Sequence, residues 1–303
     1  MLVEYENQGA EPRLVGMVIG IAGQGGITME VWFFCPLWGS RDLPWPTFFA
    51  KVKEAGYDGV EMSLPFDERE RKVILSLFAE YGLRWIAQHH ETNDPEPAVY
   101  LKNYERHLRN LASANPLFIN SQSGKDFFSF AQNKAILERA AAIAEEAGVK
   151  IIHETHRGKF SFSTTATLAL LEALPDLRLT ADFSHWCNVA ESFLQDQPQA
   201  MQAAIGRADH IHARVGFPQG PQVNDPRAPE WQEALDHHLA WWDAIVAERR
   251  RHGSASLTIT PEFGPAPYMP AMPYSREPLS DQWEVNLYMK DLLQARYCET
   301  YSL

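Results

Sequence analysis

Four strand-like segments in the second half of the chain each end in a side chain that can bind a metal ion or move a proton. They are Ile151-Ile-His-Glu154, Leu179-Thr-Ala-Asp182, Asp209-His-Ile-His212 and Leu257-Thr-Ile-Thr-Pro-Glu262. A carboxylate or imidazole at the end of a buried strand costs free energy unless a partner stabilises it. Each residue alone has a simpler explanation, such as an ion pair or a helix cap. Four in consecutive segments instead indicate one shared partner, and a divalent cation is the simplest candidate.

The four candidate ligands, Glu154, Asp182, His212 and Glu262, form an oxygen-rich set of three carboxylates and one imidazole. Such a set suits Mn²⁺, Mg²⁺ or Co²⁺ better than a structural zinc ion, which prefers thiolates and imidazoles, although Zn²⁺ stays an alternative. His210 faces the same side of its strand as His212 because the two are two residues apart. His212 is nearer the C-terminal end of the strand and is therefore the preferred ligand.

A repeated pattern from residue 29 onward predicts the elements that position these residues. Apolar runs alternate with helices, and three helix-to-strand junctions carry a glycine (Gly56, Gly82, Gly148) where a helix needs a left-handed cap. The predicted strands cover residues 30–35, 58–63, 84–89, 117–121, 149–154, 177–182, 209–214 and 257–262. The predicted helices cover residues 46–55, 68–81, 96–113, 127–147, 164–174, 197–206, 228–252 and 281–296.

Eight strands alternating with eight helices indicate a parallel sheet, and a length of 303 residues fits its closure. We therefore predict an α/β fold, a single-domain (β/α)8 TIM barrel over residues 29–303, with an open doubly wound sheet as the alternative. Residues 1–28 are expected to form an extension outside the barrel. Catalytic groups of such barrels lie at the C-terminal ends of the strands, where all four candidate ligands fall. Two long Pro-rich loops, 215–228 and 264–278, are either walls of the site or surface decoration.

Composition excludes several classes of function. The net charge is −12, with 39 acidic and 27 basic residues, which disfavours nucleic acid as a partner. No apolar run reaches the roughly 18 to 20 residues of a membrane span, so we expect no membrane insertion. The three cysteines form no CxxC pair and suggest no disulfide framework, which favours a reducing, cytoplasmic location.

The ordered set Glu154, Asp182-Phe-Ser-His185, His210-Ile-His212 and Glu262 resembles the xylose isomerase-like barrel superfamily of sugar phosphate isomerases and epimerases. The resemblance extends from about residue 29 to the C-terminus. It implies a divalent metal ion held by Glu154, Asp182, His212 and Glu262. It further implies that Glu154 and Glu262 act as acid and base on opposite faces of a sugar substrate, and that His185 contacts substrate oxygens.

Several residues near these strand ends are candidates for substrate binding. Arg214 faces the same side of its strand as His212 and could bind a hydroxyl, carboxylate or phosphate, or form a salt bridge with a barrel carboxylate. His156 follows Glu154, and Trp38 follows the first strand. Of His89 and His90, which end the third strand, one is expected to line the site, with His89 as the candidate.

We therefore expect a divalent-metal-dependent sugar or polyol isomerase or epimerase that acts through an enediolate. An inosose-type dehydratase (a lyase) and a catalytically silent sugar-binding barrel are the alternatives. The segment Asn120-Ser-Gln-Ser123 has no histidine, which argues against the three-metal DNA-repair members of the superfamily. A small sugar or polyol is the expected partner, and assembly into a homo-oligomer is left open.

Overall fold

The computed structural model describes residues 29–298, which form a closed barrel of parallel strands surrounded by helices. The strands are β1 (Glu30–Pro36), β2 (Gly59–Met62), β3 (Arg84–His89), β4 (Ile119–Ser121), β5 (Ile151–Glu154), β6 (Leu179–Ala181), β7 (Ala208–His212) and β8 (Ser256–Thr260). Neighbouring strands pair in sequence order, and β1 pairs with β8 to close the sheet. The predicted single-domain (β/α)8 barrel is confirmed and the open-sheet alternative is wrong. The predicted extension, residues 1–28, lies outside the described residues.

The helices within the described range are α1 (Trp45–Glu54), α2 (Glu68–Tyr81), α3 (Pro97–Ala112), α4 (Phe130–Ala147), α5 (Thr164–Ala173), α6 (Ser184–Ala190), α7 (Pro198–Arg207), α8 (Gln232–Arg251) and α9 (Gln282–Cys298). Gly82 and Gly148 cap α2 and α4 in the left-handed conformation, as the sequence predicts. The sequence prediction did not include α6, which begins two residues after Asp182. None of the helices in this part of the chain combines the length and apolar character that a membrane crossing requires.

Apolar side chains form two separate layers, one between the barrel and the helices and one inside the barrel. The inner cluster contains Phe34, Ile86, Phe118 and Ile152. Because side chains alternate across a strand, the inward positions nearer the C-terminal end are those two residues further on. On three of the four strands these are polar: Gln88, Asn120 and Glu154 follow Ile86, Phe118 and Ile152 in this way. The barrel thus has an apolar floor beneath a polar upper half.

A glycine in β2 makes that floor possible. A Cβ atom on Gly59 would lie 2.4 Å from the ring of Phe34, so any larger residue would displace the ring. Two residues further along the same strand, Glu61 occupies the inward position above the floor and is fully buried. The sequence Gly59-Val-Glu61 therefore places a carboxylate inside the barrel.

Candidate functional site

The four candidate ligands converge at the C-terminal end of the barrel. They are Glu154, Asp182, His212 and Glu262. Each contributes one ligand atom, and these four atoms lie within 4.8 Å of one another. All four residues are buried. They belong to four successive strands or the residues just after them, which is the arrangement that the strand-end pattern predicts.

Two atoms of this cluster have no hydrogen-bond partner within residues 29–298: Glu154 Oε1 and His212 Nδ1. His212 Nδ1 lies 2.9 Å from Glu262 Oε2 and 3.4 Å from Glu154 Oε1. Buried polar atoms without partners are rare because they lose the free energy of hydration. An imidazole nitrogen among carboxylate oxygens is the donor set that a divalent cation with oxygen and nitrogen ligands uses. The residues therefore fit a metal ion.

A neighbouring donor orients each carboxylate. Gln122 donates to Glu154 Oε2 at 3.0 Å, and Gln88 donates to Glu262 Oε1 at 3.1 Å. The backbone N–H of Ser184, at the start of α6, donates to Asp182 Oδ1 at 3.1 Å. Such outer partners fix the direction of ligand atoms in metal sites.

Glu61 orients the imidazole from below. Its carboxylate oxygens lie 3.0 and 3.1 Å from His212 Nε2, and 3.1 Å separates Oε2 from His210 Nε2. Thr260 and Asn120 also donate to this carboxylate, at 2.6 and 2.8 Å. If Nε2 of His212 donates to Glu61, Nδ1 carries the lone pair that a metal ion needs. Glu61 thus favours the tautomer of a neutral His212 in which Nδ1 faces the carboxylate cluster.

The pKa values reflect this crowding of acids around one imidazole. Burial, together with the Glu262 and Asp182 carboxylates, raises the pKa of Glu154 to about 7, against the opposing influence of His212. Burial alone would lower the pKa of His212, but Glu262, Glu61 and Glu154 hold it well above its usual value. The cluster therefore carries more negative charge than the imidazole can compensate, which favours an added cation.

Arg214 supplies a fixed positive charge beside the ligands. Its Nη2 atom pairs with Asp182 Oδ2 and lies 3.6 Å from Glu262 Oε2. The same atom is 2.7 Å from His185 Nε2. Of the two roles that the sequence allows, the salt bridge is present in the structure. Arg214 also borders the open pocket, so it can contact a substrate as well.

A pocket of about 790 Å³ opens above the ligand cluster. Glu262, Arg214, His156 and Trp38 line it, together with Tyr268 from the loop 264–278. The ring of Trp38 packs directly on Gly264, where a Cβ atom would lie 2.2 Å from the indole. Within the described residues, the lining includes Pro265 and Tyr268 from the second long loop and none from loop 215–228.

Two predicted substrate contacts lie elsewhere. His89 points to the outside of the barrel, where its ring nitrogens lie 3.0 Å from Ser121 Oγ and 2.8 Å from Thr92 Oγ1. Because side chains alternate along β3, Gln88 faces the site instead, and the pocket is lined by Gln88 and His90. His89 is therefore not a pocket residue.

His185 is fully buried and does not line the pocket. Its ring centre is 3.9 Å from that of His156, and its Nε2 atom contacts Arg214. Burial and the charge of Arg214 lower the pKa of His156 to about 3. Burial, His156 and Arg214 lower the pKa of His185 well below its usual value, which favours the neutral form of both rings. His185 therefore packs against His156 and contacts Arg214 on the side away from the pocket.

Sequence reasoning missed Glu61, Gln88 and Gln122. Gln88 and Glu61 occupy the inward positions of β3 and β2, which strict alternation along those strands identifies. Gln122 lies one residue past the end of β4, as Asp182 lies one residue past the end of β6. Their uncharged or isolated side chains carry no spacing signal of their own.

Comparisons with known proteins agree with this architecture. A family model described as xylose isomerase-like TIM barrel matches residues 49–245. A search of curated proteins finds no match.

Solved structures share the fold at low sequence identity. The 3-keto-D-glucoside 4-epimerase from E. coli is 15% identical, with a TM-score of 0.60, over 88% of this chain and 100% of that one. The probable 3-DHS dehydratase AsbF from Bacillus anthracis is 16% identical, with a TM-score of 0.55, over 88% and 99% of the two chains. A xylose isomerase-like TIM barrel protein from Mycobacterium smegmatis in complex with magnesium is 10% identical, with a TM-score of 0.55, over 87% and 97%.

Proposed function

The chain belongs to the xylose isomerase-like TIM barrel family, and on that premise we propose that it is a divalent-metal-dependent isomerase or epimerase of sugars or polyols. The observation that carries the proposal is the cluster of Glu154, Asp182, His212 and Glu262 beneath an open pocket. Two buried atoms of this cluster lack hydrogen-bond partners among the described residues. A cluster kept in this state costs stability, so we infer that it serves binding.

Glu154, Asp182, His212 and Glu262 would hold the metal ion. When bound, a divalent cation of the Mn²⁺, Mg²⁺ or Co²⁺ type supplies Lewis-acid stabilisation of negative charge on the substrate's carbonyl oxygen. Gln88, Gln122 and Glu61 keep the ligand atoms in place. The positive charge of Arg214 next to Asp182 limits the number of negative charges that the ion has to balance.

The chemistry that this site supports is removal and return of a proton next to a carbonyl group. A carboxylate within hydrogen-bond reach takes the proton, and a second one returns it at the neighbouring carbon or on the other face. Glu262 lines the pocket and Glu154 lies deeper, beside Gln122. A substrate therefore has to enter down to the ligand cluster for both carboxylates to reach it.

Metal analysis combined with solvent exchange tests the proposal. The purified protein is stripped with a chelator, reloaded with Mn²⁺, Mg²⁺ or Co²⁺, and incubated with a panel of ketoses in deuterium oxide. We expect metal-dependent incorporation of deuterium at the carbon next to the carbonyl group, observed by NMR. A protein that binds no divalent ion and is as inert as its Glu154→Gln variant on every member of the panel contradicts the proposal.

A dehydratase is the second candidate, supported by the similarity to the probable 3-DHS dehydratase. The first step, proton removal next to a carbonyl, is the same, but a hydroxyl group then leaves. Lys159 in the pocket has its pKa lowered to about 8, chiefly by burial, and could protonate such a leaving group. A dehydration produces a conjugated enone that absorbs in the ultraviolet, whereas isomerisation and epimerisation do not.

A further inference from the structure

Four cationic side chains line the pocket away from the ligand cluster: Arg41, Lys125, Arg157 and Lys159. Within residues 29–298, no carboxylate oxygen lies within 4.0 Å of their charged nitrogens, and each instead contacts a neutral side chain. Besides Glu262, the only acid in the described lining is the exposed Asp42. This wall of the pocket is therefore strongly positive although the chain as a whole has a net charge of −12.

The two lysines of this wall meet on one uncharged group. Lys125 Nζ donates to Asn93 Oδ1 at 2.9 Å, and Lys159 Nζ donates to the same atom at 3.2 Å. The other end of the Asn93 amide donates to the backbone carbonyls of His90 and Glu91, at 3.3 Å each, which fixes the direction of Oδ1. Each ammonium group has three donors, so both retain N–H groups for another acceptor.

Lys159 is the costly member of this pair. The residue is only 5% exposed, and burial together with the charge of Lys125 lowers its pKa, against the opposing influence of the more distant Glu154 and Glu91. A buried ammonium group normally has a carboxylate partner, because the loss of hydration is otherwise uncompensated. Other buried cations of this protein follow that rule, as Arg214 does with Asp182. An anion from outside the chain would provide the missing partner.

We propose that Lys125, Lys159 and Asn93 bind an anionic group of the substrate, a carboxylate or a phosphate remote from the carbonyl that reacts. The substrate class is then an acidic sugar or polyol rather than a neutral one. This inference rests on the proposed function for the identity of the reacting end, because the same pocket contains Glu262 and Arg214. Neutral sugars of similar size would leave the charge of this wall uncompensated and would therefore bind less tightly.

Calorimetric titration of the metal-loaded protein tests the anionic site. The probes are inorganic phosphate and a set that differs only at carbon six: D-fructose, D-fructuronate and D-fructose 6-phosphate. Charge-assisted hydrogen bonds contribute about 1.5–3 kcal/mol, so we expect at least one acidic ketose to bind roughly tenfold or more tightly than D-fructose. Preference for the uronate or for the phosphate identifies the anionic group. Equal affinity for all three ketoses, or no binding of any anionic probe, overturns the inference.

Substitution of the buried lysine separates an anion site from a structural role. In Lys159→Met we expect the preference for the acidic ketose to fall about tenfold, with Lys159→Arg retaining part of it. The matched control is Lys72→Met, which removes one exposed positive charge on α2 and should leave both affinities unchanged. Lys159→Met should also melt at the same or a higher temperature than the ligand-free wild type, because it removes a buried charge without a direct carboxylate partner among the described residues. A large fall in melting temperature with unchanged anion affinity would show that Lys159 serves the fold.

The two proposals can fail separately. Inorganic phosphate that binds the wild type and is lost in Lys159→Met supports the anion site even if no ketose exchanges deuterium. Metal-dependent exchange on a neutral ketose, with no preference for the acidic ones, supports the proposed function and overturns the anion site.

Discussion

The two ends of the barrel differ in the charges that surround their buried acids. At the N-terminal end of the strands, Asp209 accepts from Arg178 at 2.6 and 2.9 Å and also pairs with Lys150 and Arg249. Three cations thus surround one carboxylate. At the C-terminal end, three carboxylates surround one imidazole, and Glu154 Oε1 has no partner among the described residues.

This difference separates acids that stabilise the fold from acids that are available to a ligand. The cations around Asp209 more than compensate its charge, so no added cation is needed there. The acids around His212 are undercompensated, with Arg214 as the adjacent guanidinium. In barrels of this type the N-terminal face contributes to stability and the C-terminal face to catalysis. The charge balance of each end agrees with that division.

Removing an acid from the C-terminal end should affect the reaction most. We expect Glu154→Gln to lower the rate of proton exchange by roughly 100- to 10,000-fold, the usual contribution of a general acid or base. Because the variant also removes one of several crowded carboxylates, the metal-free protein should be at least as stable as the wild type. Exchange by NMR and thermal unfolding after chelation measure both quantities. A variant that unfolds on purification would place Glu154 with the stabilising acids instead.

Removing the acid at the N-terminal end should have the reverse effect. In Asp209→Ala we expect a loss of about 3 kcal/mol in the free energy of unfolding, because the partly buried Arg178 and Arg249 lose their common partner. The substrate and metal affinities should stay unchanged. Urea unfolding and calorimetric metal titration provide the measurements, with Asp236→Ala on the exposed face of α8 as control. A loss of metal affinity without a loss of stability would contradict the division between the two ends.

Glu61 lies inside the barrel between the two ends, and its substitution tests whether a buried acid that contacts His212 affects metal affinity. We expect Glu61→Gln to weaken metal binding roughly 10- to 100-fold, the usual effect of removing a partner that orients a ligand. The glutamine is of similar size, so packing above Phe34 should persist. Calorimetric titration with metal measures the affinity, and circular dichroism checks the fold. Unchanged affinity would show that His212 is oriented without Glu61.

We expect the smallest effect in the pH dependence of the contribution that Asp209 makes to the free energy of unfolding. Burial alone would raise the pKa of Asp209, but hydrogen bonds from Arg178 and the charge of Lys150 hold it below its usual value. A lowered folded-state pKa means that the unfolded chain binds its proton first as the pH falls, so stability decreases with acidity. The stability difference between wild type and Asp209→Asn should therefore be constant above about pH 5 and shrink below about pH 4. Urea unfolding from pH 3 to 7 tests this, and a constant difference throughout contradicts it.

The sequence predicted the positions of the strands and the identity of the four candidate ligands. Glu154, Asp182, His212 and Glu262 each end a short apolar run, and that pattern is local to a few residues. Helix ends were equally accessible, because Gly82 and Gly148 mark them directly. The sequence alone did not separate His89 from His90, and the alternation of side chains along β3 places His90, with Gln88, in the pocket lining.

The relations between distant residues were decided by the tertiary structure alone. Glu61 and His212 are 151 positions apart, and only closure of the barrel brings them into contact. Lys159 and Asn93, 66 positions apart, meet because the loops after β3 and β5 cover the same pocket. The salt bridge of Arg214 with Asp182, 32 positions away, likewise depends on the neighbouring positions of β6 and β7. A sequence determines which charges are present and on which side of a strand they lie, whereas the balance between them depends on which strands and loops become neighbours.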